Sequence, residues 1–395
     1  METVSRCFGG PAESRSTAVV ATTVVTTVAL LSLARLALWP KKQAVILGPL
    51  RTSIPRLSKA EIDEVPYPPG AFPGARDVST PYGDIRVYEF GPEDGRKVLF
   101  IHGISTSCMT LKDIAMPLFE KGCRIMLFDL FGRGFSDAPG DLPYDTRLFV
   151  SQILLVLASS PLAWTGDNAI SIVGYSLGGG IAANFAATFP HMVESLVLLA
   201  PSGIIRPENF GRASRLIFAS GIIPERILAW LTKRRLRQPL ATAVSKKPRA
   251  PADNAPQSGT GKEDYADVAI QEAVDPADEK PPTPFEQRVL GYVHWALDFH
   301  DGFVPAFMST IRYAPLLEQH HYWRQLARRK PGTTAVLLGR DDTLIQLDDY
   351  VEDALPLLGG KDNVYWQVVP GSHNFPFTHG PDALKHIYKL WGIEQ

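Results

Sequence analysis

From about residue 80 to the C-terminus, short apolar runs alternate with longer stretches of helical period. The runs fall at residues 85–90, 97–101, 125–129, 169–173, 196–200, 334–338 and 364–369. Most are β-branched or Leu-rich and do not alternate apolar with polar. That is the pattern of strands buried on both faces of a mostly parallel sheet. Helical patterns lie between them, at residues 146–159, 177–188 and 381–391. Strands and helices in turn predict an α/β architecture, a doubly wound sheet covered on both faces.

The alternation breaks between residues 204 and 330. This insert opens and closes with apolar helical pattern, as at 215–223 and 227–231, and is expected to form a helical cap. Its middle, about 238–284, is rich in Pro, Ala, Asp and Lys. Basic residues come first (Lys233 to Arg237, then Lys246, Lys247 and Arg249), and acidic ones follow, from Glu263 through Glu272 to Glu279. Such a stretch cannot bury enough apolar area to offset its ordering entropy, so a disordered, solvated loop is expected. The basic block also has the chemistry to touch anionic lipid. No internal repeat is visible.

The N-terminus breaks the pattern differently. Residues 18–34 carry no charge, and with the stretch to Trp39 they would span roughly 33 Å as a helix, enough for a bilayer core of about 30 Å. Arg35 can snorkel toward headgroups, and Trp39 suits an interface. A transmembrane helix at 18–39 is therefore expected. A cleavable signal peptide fits less well, because no small-x-small site precedes Pro40-Lys41-Lys42. Arg6 and Arg15 precede the span, whereas Arg35, Lys41, Lys42, Arg51 and Arg56 follow it. That bias places the remainder on the cytosolic side of a single-pass protein. The expected order is then a tail (1–17), the span (18–39), a Pro-rich juxtamembrane linker (40–75), the first core segment (76–203), the insert (204–330) and the second core segment (331–395).

Composition adds exclusions. With 395 residues, 45% hydrophobic and 21% charged, the chain can bury a large core. Its net charge of −1 makes no electrostatic case for nucleic acid. Cys7, Cys108 and Cys123 show neither a disulfide framework nor a metal-ligand spacing.

The chemistry centres on Gly174-Tyr175-Ser176-Leu177-Gly178, between a strand pattern and a helix pattern. A nucleophile on a sharp strand-to-helix turn needs small residues two before and two after it. The following helix N-terminus favours developing negative charge. A serine also needs a base and an orienting acid. Acid candidates Asp341 and Asp342 follow the run at 334–338, and the base candidate His373 follows the last strand. All fall at C-terminal strand ends, where sites in such sheets are built. Oxyanion donors are expected from Leu177 N–H and from the loop His102-Gly103-Ile104-Ser105, chiefly Ile104 N–H. His102 precedes the serine and reads as loop-shaping. His379 lies beyond the turn, and His320 and His321 read as packing or surface residues.

With these residues in hand, the chain resembles the α/β-hydrolase superfamily over residues 80–395, the central insert excepted. The block from Phe128 to Asp137 resembles the loop after that family's fourth strand. The spacing Gly339-Arg340-Asp341-Asp342 matches the family's acid position, which prefers Asp342 over Asp341. Two departures stand out. The family's proline past the acid is absent in Thr343-Leu344-Ile345-Gln346, and Gly371-Ser372 replace the usual pair before the histidine. The resemblance implies a serine hydrolase acting through an acyl-enzyme, with Ser176, Asp342 and His373 catalytic, Ile104 and Leu177 as oxyanion donors, and no metal or organic cofactor. The layout is similar to membrane-bound monoacylglycerol lipases, so a lipid ester is the expected substrate. Amide or small-ester cleavage and a non-catalytic binding protein on the same fold are the alternatives. No protein partner is indicated.

Overall fold

The computed structural model describes residues 11–38, 43–210, 225–237, 272 and 283–394. Its centre is an eight-stranded sheet, with strands β1 (Ala75–Val78), β2 (Ile85–Phe90), β3 (Lys97–Ile101), β4 (Arg124–Phe128), β5 (Ile170–Tyr175), β6 (Val193–Leu199), β7 (Thr334–Gly339) and β8 (Tyr365–Val369). Their spatial order is β8-β7-β6-β5-β3-β4-β2-β1. Strands β3 to β8 run parallel, whereas β2 is antiparallel to both β1 and β4. Residues of β2, β5 and β7 are buried throughout, and the charged Arg86 and Glu89 within β2 are held in ion pairs with Asp77, Arg76 and Arg124. Of these eight strands, β1 alone was not legible in the sequence. It is a four-residue edge strand, ARDV, without an apolar run.

The chain builds outward from β3 to β4, then returns to place β5 on the other side of β3. That reversal opens a crevice beyond the C-terminal ends of β3 and β5, the place where open α/β sheets hold their sites. The covering helices form two packed sets, as a doubly covered sheet requires. Lys112–Glu120 packs with Gly380–Trp391, and Leu177–Thr188 packs with Thr146–Ala158 and His320–Leu326.

The expected N-terminal membrane span finds no support in the structure. Residues Pro11–Leu38 form one helix, but among the described residues no helix is long and apolar enough to cross a membrane. Trp39, the expected interfacial anchor, lies outside the described residues. The Pro-rich stretch expected to be a linker is packed from its middle onward: Ile54, Val65, Tyr67 and Phe72 are core residues. A capping box formed by Ser58 and Glu61 starts the short helix Lys59–Glu64 there.

Of the insert, the middle expected to be disordered, about 238–284, lies outside the described residues except for Glu272, Thr283 and Pro284. The 215–223 run lies outside them as well. The insert's later part is helical. Thr283 and Glu286 form a capping box that opens Pro284–Phe299, and Phe303–Tyr313 follows. Both helices bury apolar faces, including Val289, Tyr292, Phe303 and Phe307.

Candidate active site

Ser176 sits at the turn from β5 into the helix Leu177–Thr188, with φ 53° and ψ −119°. An L-residue is strained there, and the surroundings hold it. Ser176 N–H donates to Leu199 O at 2.9 Å, and its carbonyl accepts from Ser202 N–H at 2.9 Å. The flanking glycines follow from close approach. A Cβ on Gly178 would lie 2.1 Å from Ile101 O, and one on Gly174 would lie 2.4 Å from Gly178 O. Those are backbone atoms of β3 and the helix, so a side chain at either position forces them apart. The spacing read in the sequence is thus a packing requirement that leaves the Ser176 hydroxyl at a helix N-terminus.

The hydroxyl of Ser176 is 3.0 Å from His373 Nε2, and His373 Nδ1 is 2.8 Å from Asp342 Oδ2. The loops after β7 and β8 bring these groups together, since the two strands are hydrogen-bonded neighbours. Asp342 is oriented by its own turn: Oδ1 accepts from Leu344 N–H at 2.9 Å and Ile345 N–H at 2.8 Å. Asp341 is exposed, and its backbone N–H donates to Gly371 O at 3.0 Å. Burial alone would lower the pKa of His373. The charge and hydrogen bond of Asp342, with a further contribution from Glu272, outweigh it and raise the pKa above its ordinary value.

His102 is spent on the backbone, as its position suggested. Nε2 accepts from Leu130 N–H at 2.9 Å and Nδ1 lies 2.9 Å from Gly103 O. Burial, with the Arg133 charge beside it, depresses its pKa to about 3, so it stays neutral. The loop that holds Ile104 is anchored from two sides. Arg133 Nε donates to Ile104 O at 2.9 Å, while its Nη2 donates to Thr310 Oγ1 at 2.8 Å. Asp129 accepts from Cys108 N–H, Phe135 N–H and the Tyr67 hydroxyl, tying three segments together. Burial still raises its pKa to about 6 against those bonds.

One site residue escaped the sequence reading. The Glu272 carboxylate is fully buried and accepts from Ile104 N–H at 2.8 Å and Ser105 N–H at 2.7 Å. It accepts as well from the Ser105 hydroxyl at 2.8 Å. In the sequence Glu272 was one of a row of acidic residues, with nothing local to distinguish it. Leu177 N–H stands at the first position of its helix, where no intrahelical acceptor exists. Among the described residues, no group of three or more His, Cys, Asp or Glu side chains is arranged to hold a metal ion.

Comparison with known proteins adds to this geometry. The family model described as alpha/beta hydrolase fold matches residues 97–379. A serine hydrolase-like protein of Danio rerio is 34% identical over 132 residues, covering 33% of this chain and 39% of that protein. One of Homo sapiens is 36% identical over 124 residues, covering 31% and 58%. The alignments therefore span less than two thirds of these relatives. Among solved structures, a bacterial membrane phospholipase A superposes with a TM-score of 0.58 at 18% identity, covering 94% of this chain and 98% of that one. A carboxylesterase of Bacillus subtilis superposes at 0.54 and 15% identity, covering 91% and 94%. At such identities the likeness is one of fold.

Proposed function

Because the chain belongs to the alpha/beta hydrolase fold family, we propose that it is a serine hydrolase that cleaves carboxylic esters through an acyl-enzyme on Ser176. The observation that carries this reading is His373, buried and within hydrogen-bond distance of both Ser176 Oγ and Asp342 Oδ2. In the proposed cycle Ser176 Oγ attacks the ester carbonyl as its proton passes to His373 Nε2. Asp342 holds the Nδ1–H tautomer and stabilises the imidazolium. The tetrahedral oxyanion takes the Ile104 and Leu177 N–H groups. As it collapses, the C–O bond breaks and His373 returns the proton to the leaving alkoxide. Water, deprotonated by the same histidine, then releases the acid and restores Ser176.

Within that class a lipid ester such as monoacylglycerol is the proposed substrate. It is supported by the neighbouring phospholipase and carboxylesterase folds, and by described insert residues that bond to the loops beside the site. We take that insert, 204–330, as a cap on a core made of 76–203 and 331–395. Arg133 to Thr310, Gly134 N–H to the Tyr292 hydroxyl, and Ile104 to Glu272 all join the two. Residence at a membrane, with the hydrolase on the cytosolic side, is a separate proposal. Its support is the flanking charge bias and a helix whose Val19, Val25, Leu31 and Leu33 side chains are exposed. The test of function is labelling of the purified protein by a fluorophosphonate, with a panel of short-chain and lipid esters assayed in parallel. The expected result is one labelled serine, and Ser176→Ala without label or esterase activity. Undiminished turnover in Ser176→Ala rules the mechanism out, and label without any ester turnover favours an amidase.

A further inference from the structure

We propose that the loop at Ile104 and Ser105 is a carboxylate-binding site, filled in the resting chain by Glu272, so that the hydrolase carries its own competitive inhibitor. The inference rests on the ester-hydrolase reading above. Three donors converge on the Glu272 carboxylate within 2.7–2.8 Å: two backbone N–H groups and the Ser105 hydroxyl. Gly103 makes room for it, because a Cβ there would lie 2.3 Å from Glu272 Oε1. An ionised carboxylate without partners is costly to bury, and this one has a full set. Arg133, which holds the Ile104 carbonyl from behind, adds a favourable charge.

The same N–H cannot serve two anions at once. Ile104 N–H is a donor that the tetrahedral oxyanion requires, and Glu272 Oε1 occupies it. Glu272 reaches the loop after β3 from 168 residues away along the chain, out of the insert, so its contact is a tertiary one. Among the described residues its hydrogen bonds run to the loop and not to Ser176 or His373. No step of the mechanism uses it. Turnover requires the carboxylate to leave, and the fraction of molecules with the loop vacant scales the observed rate. The ligand class is set by the donors: a small monocarboxylate, including the acid that ester hydrolysis itself releases.

The experiment compares wild type, Glu272→Ala and Glu272→Gln by the rate of fluorophosphonate labelling at Ser176 and by kcat/KM on a p-nitrophenyl ester. Vacating the loop is expected to raise both by at least about tenfold in Glu272→Ala, a shift of about 1.4 kcal/mol. The neutral, isosteric Gln variant should give an intermediate gain and guards against a folding defect in the alanine variant. Sodium acetate should then inhibit Glu272→Ala competitively and raise its Tm, while leaving wild type unaffected at the same concentration. Measurable and equal labelling rates in all three proteins overturn the proposal, as does acetate acting alike on wild type and variant. The acetate-dependent Tm does not depend on catalysis. If Ser176 takes no label in any protein while acetate still stabilises only the variant, the hydrolase reading fails and the carboxylate site stands.

Discussion

The sharpest prediction concerns Asp342→Asn. Asp342 Oδ1 accepts from two backbone N–H groups, at 2.9 and 2.8 Å, and Oδ2 faces His373 Nδ1 at 2.8 Å. An asparagine of the same shape must keep its carbonyl oxygen on the two N–H donors, since turning its amide toward them sets donors against donors. Its NH2 then faces His373 and donates to Nδ1. The imidazole proton moves to Nε2 and points at Ser176 Oγ, so the ring can no longer accept the serine proton. The expected loss in kcat is about 10⁴-fold, or about 5 kcal/mol of transition-state stabilisation. The cost in stability is far smaller, about 1–2 kcal/mol for weakened charge-assisted bonds. Unfolding therefore cannot account for the rate loss. The assay is kcat on a short-chain p-nitrophenyl ester, beside thermal melting and Asp341→Asn as control. Asp341 is exposed, and its substitution should change kcat by less than about twofold. An Asp342→Asn enzyme within tenfold of wild type, or an equal loss in Asp341→Asn, refutes the reasoning.

Three further outcomes follow from the same structure. In Gly178→Ala the new Cβ meets Ile101 O and His102 O at 2.1 and 2.6 Å, both backbone, so no rotamer change relieves it. Urea unfolding should show a loss of about 1–3 kcal/mol, and kcat should fall more than stability does because Leu177 N–H is displaced. The base must be neutral to take the serine proton, and the pKa of His373 is raised, so activity is lost as pH falls through that elevated value. The acid limb of kcat/KM is expected above 6.5, and a limb at or below 6.5 contradicts the assigned charges. Asp137 accepts from Gly48 N–H at 2.6 Å and Asp84 N–H at 2.7 Å, and it pairs with Arg51. Asp137→Ala should lower the unfolding free energy by about 2–3 kcal/mol in urea with activity retained at low temperature, because it strands the buried Gly48 N–H and its side-chain partners include none of the catalytic groups.

Most of the scaffold was legible because it is locally encoded. The buried strands declare themselves as short, mostly apolar runs, and the elbow as a glycine-spaced turn between strand and helix patterns. The order of serine, acid and histidine along the chain suggested the site before any distance was known. Edge strand β1 was not legible, because a strand exposed on its edge needs no apolar run. The N-terminal helix was legible as a helix, but among the described residues its reading as a membrane span finds no support. The packing of residues 43–74 was hidden by prolines that read as a linker, yet Tyr67 and Phe72 belong to the core.

For Ser176 and its partners, then, residue types and chain order decided what chemistry is available, since periodicity and turn geometry depend on neighbours a few residues apart. Only the tertiary structure decided which groups meet. It joined Ser176 to His373 across 197 residues, chose Asp342 over Asp341 by burying one carboxylate, and set Glu272 on the donors of Ile104 and Ser105. A hydrogen bond is won or lost within about 0.5 Å, and contacts across such separations are set by how the whole core packs rather than by any local pattern.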